Sequence, residues 1–145
     1  MADIVLSEAE AERLVALPKR ITQQNHWQER DGNYVMDLPV EADEQLPLRL
    51  YGRFNPRTNV FNYIFFFDKF RVRALDVGKR HHNPDCDNVG PTHLHKWTDQ
   101  NRDKWAEEFD DTFSLGDAFG YMLDECNIDY QESFKLPPQG YQRGF

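Results

Sequence analysis

From Tyr34 to Val77 apolar and polar residues alternate with a period of two, which restricts the segment to β-strands that bury one face. In "YVMDLPV", Tyr34, Met36, Leu38 and Val40 point one way. After the acidic turn "EADEQ", the run "LPLRLYGRF" sets Leu46, Leu48, Leu50 and Phe54 on one face and Arg49, Tyr51 and Arg53 on the other. "NPRTN" is a turn, and "VFNYIFFF" is apolar on nearly both sides, as a central strand is. "DKFRVRALDV" follows, and the same period puts Arg71 and Arg73 on a common face. Four such runs joined by short turns predict an antiparallel meander.

The pattern changes to helical on either side of the meander. In "SEAEAERLVALPKR", Ser7 is an N-cap, Glu10 completes a capping box, Leu6 stands at the staple position and Pro18 ends the helix. In "SLGDAFGYMLDECN", Ser114 and Asp117 form a second capping pair, and Leu115, Ala118, Phe119, Met122, Leu123 and Cys126 repeat at helical spacing. Residues 21–32 read as a loop closing on a turn at Asp31-Gly32, and "THLHKW" reads as a short strand. The last residues, 129–145, read as an extended tail, either docked through Phe134, Tyr141 and Phe145 or loose.

These elements predict an α+β fold: an antiparallel sheet of four to five strands, with an N-terminal helix and a C-terminal helix packed on its apolar face. At 145 residues, with no internal repeat or linker, residues 1–145 are expected to form a single domain. The eleven phenylalanines mark the charged composition as the surface of an aromatic core rather than the signature of disorder. The sequence contains no apolar run of the roughly 18 residues a membrane helix needs, and "MADIVLSEAEAERL" lacks the basic start of a signal peptide. A cytoplasmic protein with no membrane partner is expected, and its two cysteines, Cys86 and Cys126, are expected to be free thiols.

The net charge of −8 is unevenly spread. Residues 49–80 carry eight bases and only Asp68 and Asp76 as acids, while the segments before and after are strongly acidic. A basic centre can hold a polyanion by displacing its counterions even in an acidic protein. The alternative is that the central bases pair with the acidic flanks in the folded chain.

"RHHNPDCDNVGPTHLHKW", residues 80–97, holds four of the five histidines. As a strand, "THLHK" puts His93 and His95 on one face. Three readings of the segment stand side by side. A metal site needs imidazoles or thiolates converging at about 2.0–2.3 Å, which an H-x-H strand plus a loop ligand can supply, although no recognised ligand spacing is present. Acid and base catalysis needs two groups that exchange protons near neutrality and cations to stabilise the phosphorane formed when RNA is cleaved. In the third reading the imidazoles only cap loop carbonyls and pack on Trp97 and Trp105.

The order "LDV…HHNPD…GPTHLHKW…DKWA…CNI…GF" resembles an uncharacterised family of small bacterial proteins with H-x-N-P-D, P-H-L-H and K-W-A motifs. His81, Asn83, Pro84 and Asp85 fall on the first motif, His93, Leu94 and His95 on the second, and Lys104, Trp105 and Ala106 on the third. Thr92 departs from the proline that precedes H-L-H, and His82 falls on a variable position. The paired histidines are similar, more distantly, to TumE-like toxins of bacterial toxin-antitoxin pairs, and this likeness implies an RNA target.

The expected function is therefore a toxin-like endoribonuclease that needs no metal or other cofactor. His81, His93 and His95 are its proton-transfer candidates, and Arg49, Arg53, Arg71, Arg73, Arg80 and Lys96 are its substrate-binding candidates. Its expected partners are RNA or another nucleic acid and a cognate antitoxin. Two alternatives remain open at this point. One is a non-enzymatic acidic inhibitor from a phage or mobile element that binds a host defence complex. The other is a zinc-binding structural domain with the same histidines as ligands.

Overall fold

The computed structural model describes residues 5–78, 81–82, 88–109 and 113–138. Helix α1, Glu8–Ala16, begins where Ser7 Oγ accepts the Glu10 amide at 3.0 Å, and Pro18 lies two residues past its end. The Glu10 carboxylate does not close a capping box. It pairs with Arg13 at 2.9 Å, an i,i+3 contact on the exposed side of the helix. Helix α2, Leu115–Glu125, starts the same way, with Ser114 Oγ accepting the Asp117 amide at 3.1 Å.

The meander forms as its period requires. Strands β3 (Asn33–Ala42), β4 (Leu48–Asn55), β5 (Val60–Phe67) and β6 (Phe70–Val77) pair antiparallel in sequence order. The sheet is larger than the four or five strands expected. Short strands β1 (Lys19–Ile21), β2 (Gln28–Arg30), β9 (Thr92–Lys96), β10 (Ala106–Glu108) and β11 (Ile128–Tyr130) extend it to nine, in the order β10-β9-β6-β5-β4-β3-β1-β11, with β2 also on β3. Strand β11 runs parallel to β1, so the sheet is mostly rather than wholly antiparallel. A separate two-residue ribbon joins β7 (His81–His82) to β8 (Asn88–Val89). Three-residue strands give no periodic signal: β1 and β2 form on unpaired backbone groups of the long β3, β11 forms in turn on β1, and β10 forms on β9.

Residues 21–32 are thus only partly loop, closing on Asp31 and Gly32 at positive φ, the turn the Asp-Gly pair demands. The tail is docked as far as it is described. Phe134 lies 4.8 Å from Phe119 and packs edge-on to Trp27, while the buried Asn25 side chain bonds both the Lys135 amide and its carbonyl. Tyr141 and Phe145 lie outside the described residues.

Both helices lie on one face of the sheet. That face presents Met36, Leu38, Leu50, Phe54, Phe61, Tyr63, Phe65, Leu75 and Leu94, all buried. Tyr63 is central: it is 0% exposed, meets Trp27, Phe61 and Phe119, and donates its hydroxyl to the Leu115 carbonyl at the start of α2. Gly52 on β4 lies under this ring, where a Cβ would come within 2.8 Å of Tyr63 Cε1, so the tyrosine needs a glycine beside it.

Arg71 and Arg73 do not share a face. The β5–β6 register shifts between Phe65 and Phe66, so that Phe66 pairs Arg71 and Phe65 pairs Arg73. The extra residue, Val72, is a β-bulge, and a bulge resets the period of two. Arg73 therefore enters the helix face, with its side chain 3% exposed, and binds Glu12 of α1 and Glu125 of α2 at once. Burial works against its charge, but the two carboxylates hold its pKa above the ordinary value. Central bases do pair with flanking acids here, and likewise in Arg49–Asp37 and Arg71–Asp103.

Lys19 is also buried, and its Nζ donates to the carbonyls of Leu14, Val15 and Leu17, capping the C-terminal end of α1. Burial pulls its pKa down to about 8. The folded chain then releases this proton well before an unfolded lysine, whose pKa is about 10.4, would do so. The Lys19 contribution to stability is fully present above about pH 10.4 and is lost as pH falls through about 8. In urea titrations across that window, parent stability minus Lys19→Met stability should rise with pH. A difference that stays flat from pH 7 to 10.5 would contradict this.

Candidate functional site

The site builds from one cross-strand row on the face that, among the described residues, carries no helix. Register aligns Val35, Arg53, Asn62, Asp76, His93 and Glu108 across six strands, and the neighbouring row aligns Asp37, Tyr51, Ile64, Ala74, His95 and Ala106. His93 and His95 therefore share a face, as the period of "THLHK" requires, while Leu94 between them enters the core.

Both imidazoles are buried, and so is Asp76, at 8% exposure. His93 Nε2 lies 3.0 Å and His95 Nε2 3.1 Å from the same oxygen, Asp76 Oδ2. Each ring is anchored at its other end: His93 Nδ1 to the Gly90 carbonyl at 3.0 Å and His95 Nδ1 to the Asp103 carbonyl at 2.8 Å. A carbonyl oxygen only accepts, so each Nδ1 carries a proton and donates it, and both Nε2 atoms are aimed at one point. Burial pushes the Asp76 carboxyl up, but the hydrogen bonds from both imidazoles more than reverse this and hold it well below the usual carboxylate range. The ligand-capable atoms of the three residues all lie within 4.8 Å of one another, and this is a metal-competent group among the described residues.

Asp76 also borders a cavity of 340 Å³ whose wall includes Arg53, Asn62, Asn55 and Asn33. Beyond it on the same face, the Arg49 guanidinium sits 4.2 Å over the Phe66 ring, and Tyr51 meets that ring edge-on. Arg71 stands 3.9 Å from Asp103, with its Nε buried and unpartnered.

The expected site residues are thus divided. Arg49, Arg53 and Arg71 join His93 and His95 on the helix-free face. Arg73 lies on the opposite face, and Lys96, in register with it, pairs Glu107 at 2.8 Å. The backbone of His81 pairs Val89 in the two-residue ribbon. Arg80, Asn83, Pro84, Asp85 and Cys86 lie outside the described residues. Cys126 is a free, buried thiol whose pKa burial pushes up to about 12. The residue that sequence reasoning passed over is Asp76. Its signal was present: an acid in the apolar strand "RALDV", where an uncompensated charge is costly, implies a partner nearby.

A family model described as a family of unknown function, DUF6978, matches residues 6–128. The chain belongs to that family. The match takes in the DUF6978 sheet from β1 to β10, including Asp76, His93 and His95, and ends at the first residue of β11. No curated protein and no solved structure matches the chain. Among the described residues, no helix is long and apolar enough to cross a membrane.

Proposed function

We propose that the chain is a toxin-like endoribonuclease that takes RNA across the helix-free face of its sheet. One observation carries this reading. An arginine and aromatic platform, Arg49, Arg53, Tyr51 and Phe66, adjoins the Asp76–His93–His95 cluster, with Arg53 and Asp76 lining the same cavity. Single-stranded RNA is held by side chains of this kind, bases stacking on aromatic rings and guanidinium planes while phosphates meet cations. A phosphate at Arg53 would lie beside the cluster. The likeness of the H-x-H strand to TumE-like toxins supports the same target, and with it a cytoplasmic site of action and a cognate antitoxin as partner.

The geometry bears on how such a site would work. Both nitrogens of each ring are engaged, so an Nε2 can act as acid or base only after leaving Asp76 Oδ2.

Induced expression should arrest growth, and His93→Ala with His95→Ala should relieve the arrest, lowering RNA cleavage by about 10²- to 10⁴-fold. Arg53 is exposed, so Arg53→Ala should keep the fold. It should weaken binding of a labelled oligoribonucleotide and reduce the salt slope of that binding by about one, read by fluorescence anisotropy. A double histidine variant as toxic as its parent, or an Arg53 variant with unchanged affinity, would overturn the proposal.

A further inference from the structure

The geometry points to a divalent transition-metal site, of the class zinc occupies, made by Asp76 Oδ2, His93 Nε2 and His95 Nε2. Ligand atoms bonded at about 2.0–2.2 Å to a four-coordinate ion stand roughly 3.3–3.5 Å from one another. The two imidazole nitrogens already lie 3.0 and 3.1 Å from the carboxylate oxygen, within a few tenths of an ångström of that separation, and all three ligand atoms lie within 4.8 Å of one another.

The second observation is the anchoring of the rings. A metal-ligating histidine donates its other N–H to a carbonyl or carboxylate, which fixes the ring and raises its basicity. Both histidines do this through Nδ1, to the backbone carbonyl of Gly90 just before β9 and to that of Asp103 in the connection between β9 and β10. With each Nδ1 donating to a carbonyl, a neutral ring turns an Nε2 lone pair toward the carboxylate, so three electron-rich atoms converge on one point in a buried site. One divalent ion serves all three groups at once.

The third observation concerns access. Two imidazoles and one carboxylate leave a four-coordinate ion with an open position, the feature that separates catalytic from structural sites. The carboxylate is the ligand that borders the cavity shared with Arg53. The ion site stands on the cluster alone. Only its consequence rests on the RNA-cleavage reading: with the imidazoles as ligands, cleavage is assisted by the metal and not metal-independent.

Two probes test the site on the full chain after dialysis against chelator. Zn²⁺ titrated calorimetrically should bind at about one equivalent, and Co²⁺ should give the intense visible bands of a four-coordinate N/O site. Wild-type ¹⁵N spectra of the imidazoles should show two Nε2 resonances moving on Zn²⁺ addition while two Nδ1 atoms stay protonated, which requires no variant to fold. His93→Ala and His95→Ala should each weaken binding by at least about 10-fold, whereas His26→Ala, exposed and on another segment, should not. Absence of Zn²⁺ and Co²⁺ binding to folded wild type, or Nε2 resonances that do not move, would overturn the site. Zinc binding by a chain that neither cleaves RNA nor arrests growth would leave the site standing and remove the nuclease reading alone.

Discussion

In EDTA, Asp76→Ala should lower the unfolding free energy by about 3–5 kcal/mol, the cost of removing one partner from a buried polar pair. The size follows from the absence of any relief for the rings left behind. His93 is 1% and His95 9% exposed, so both rings lose their acceptor within a buried site. Nor can the rings turn to find another, because Gly90 and Asp103 hold their Nδ1 atoms. Asp76→Asn separates shape from charge. Its side-chain oxygen retains one acceptor for the two imidazoles, and the expected loss is about 1–3 kcal/mol. Urea unfolding with chelator present measures both. If Asp76→Ala stays within about 1 kcal/mol of the parent, the carboxylate is not what holds the two histidines in place.

Tyr63→Ala should cost a similar amount, about 3–5 kcal/mol, for a different reason. The ring fills the space between the sheet and α2, against Trp27, Phe61 and Phe119, and sits over Gly52, which has no side chain to expand into the void. The loss combines transfer of the ring to water with a cavity that the neighbours cannot close. Tyr63→Phe keeps the ring and removes only the hydroxyl that donates to Leu115, for about 0.5–1.5 kcal/mol. In thermal melts the alanine variant should drop by roughly 10 °C and the phenylalanine variant by a few degrees. Equal drops would place the energy in the hydrogen bond and not in the packing.

The two predictions mark different halves of the sheet. Tyr63 belongs to the helix face, which was legible from alternation. Asp76 belongs to the helix-free face, which was only partly so. His93 and His95 could be paired from the strand period, because two residues two apart on one strand share a face whatever the fold. Asp76 is 17 residues from His93, and only the β6–β9 register brings the three together. Arg71 and Arg73 show the reverse failure. The period of two predicts a common face, yet a single bulge at Val72 sends one to the cavity side and the other between the helices.

The sequence by itself determined both helix starts, the four-strand meander and the shared orientation of His93 and His95, since each depends on residues close along the chain. The tertiary structure decided the four three-residue strands β1, β2, β10 and β11, the two faces of the arginine pair and the Asp76–His93–His95 cluster. These depend on register between distant segments and on backbone groups a neighbour leaves unpaired, and neither is written in the local pattern of residues.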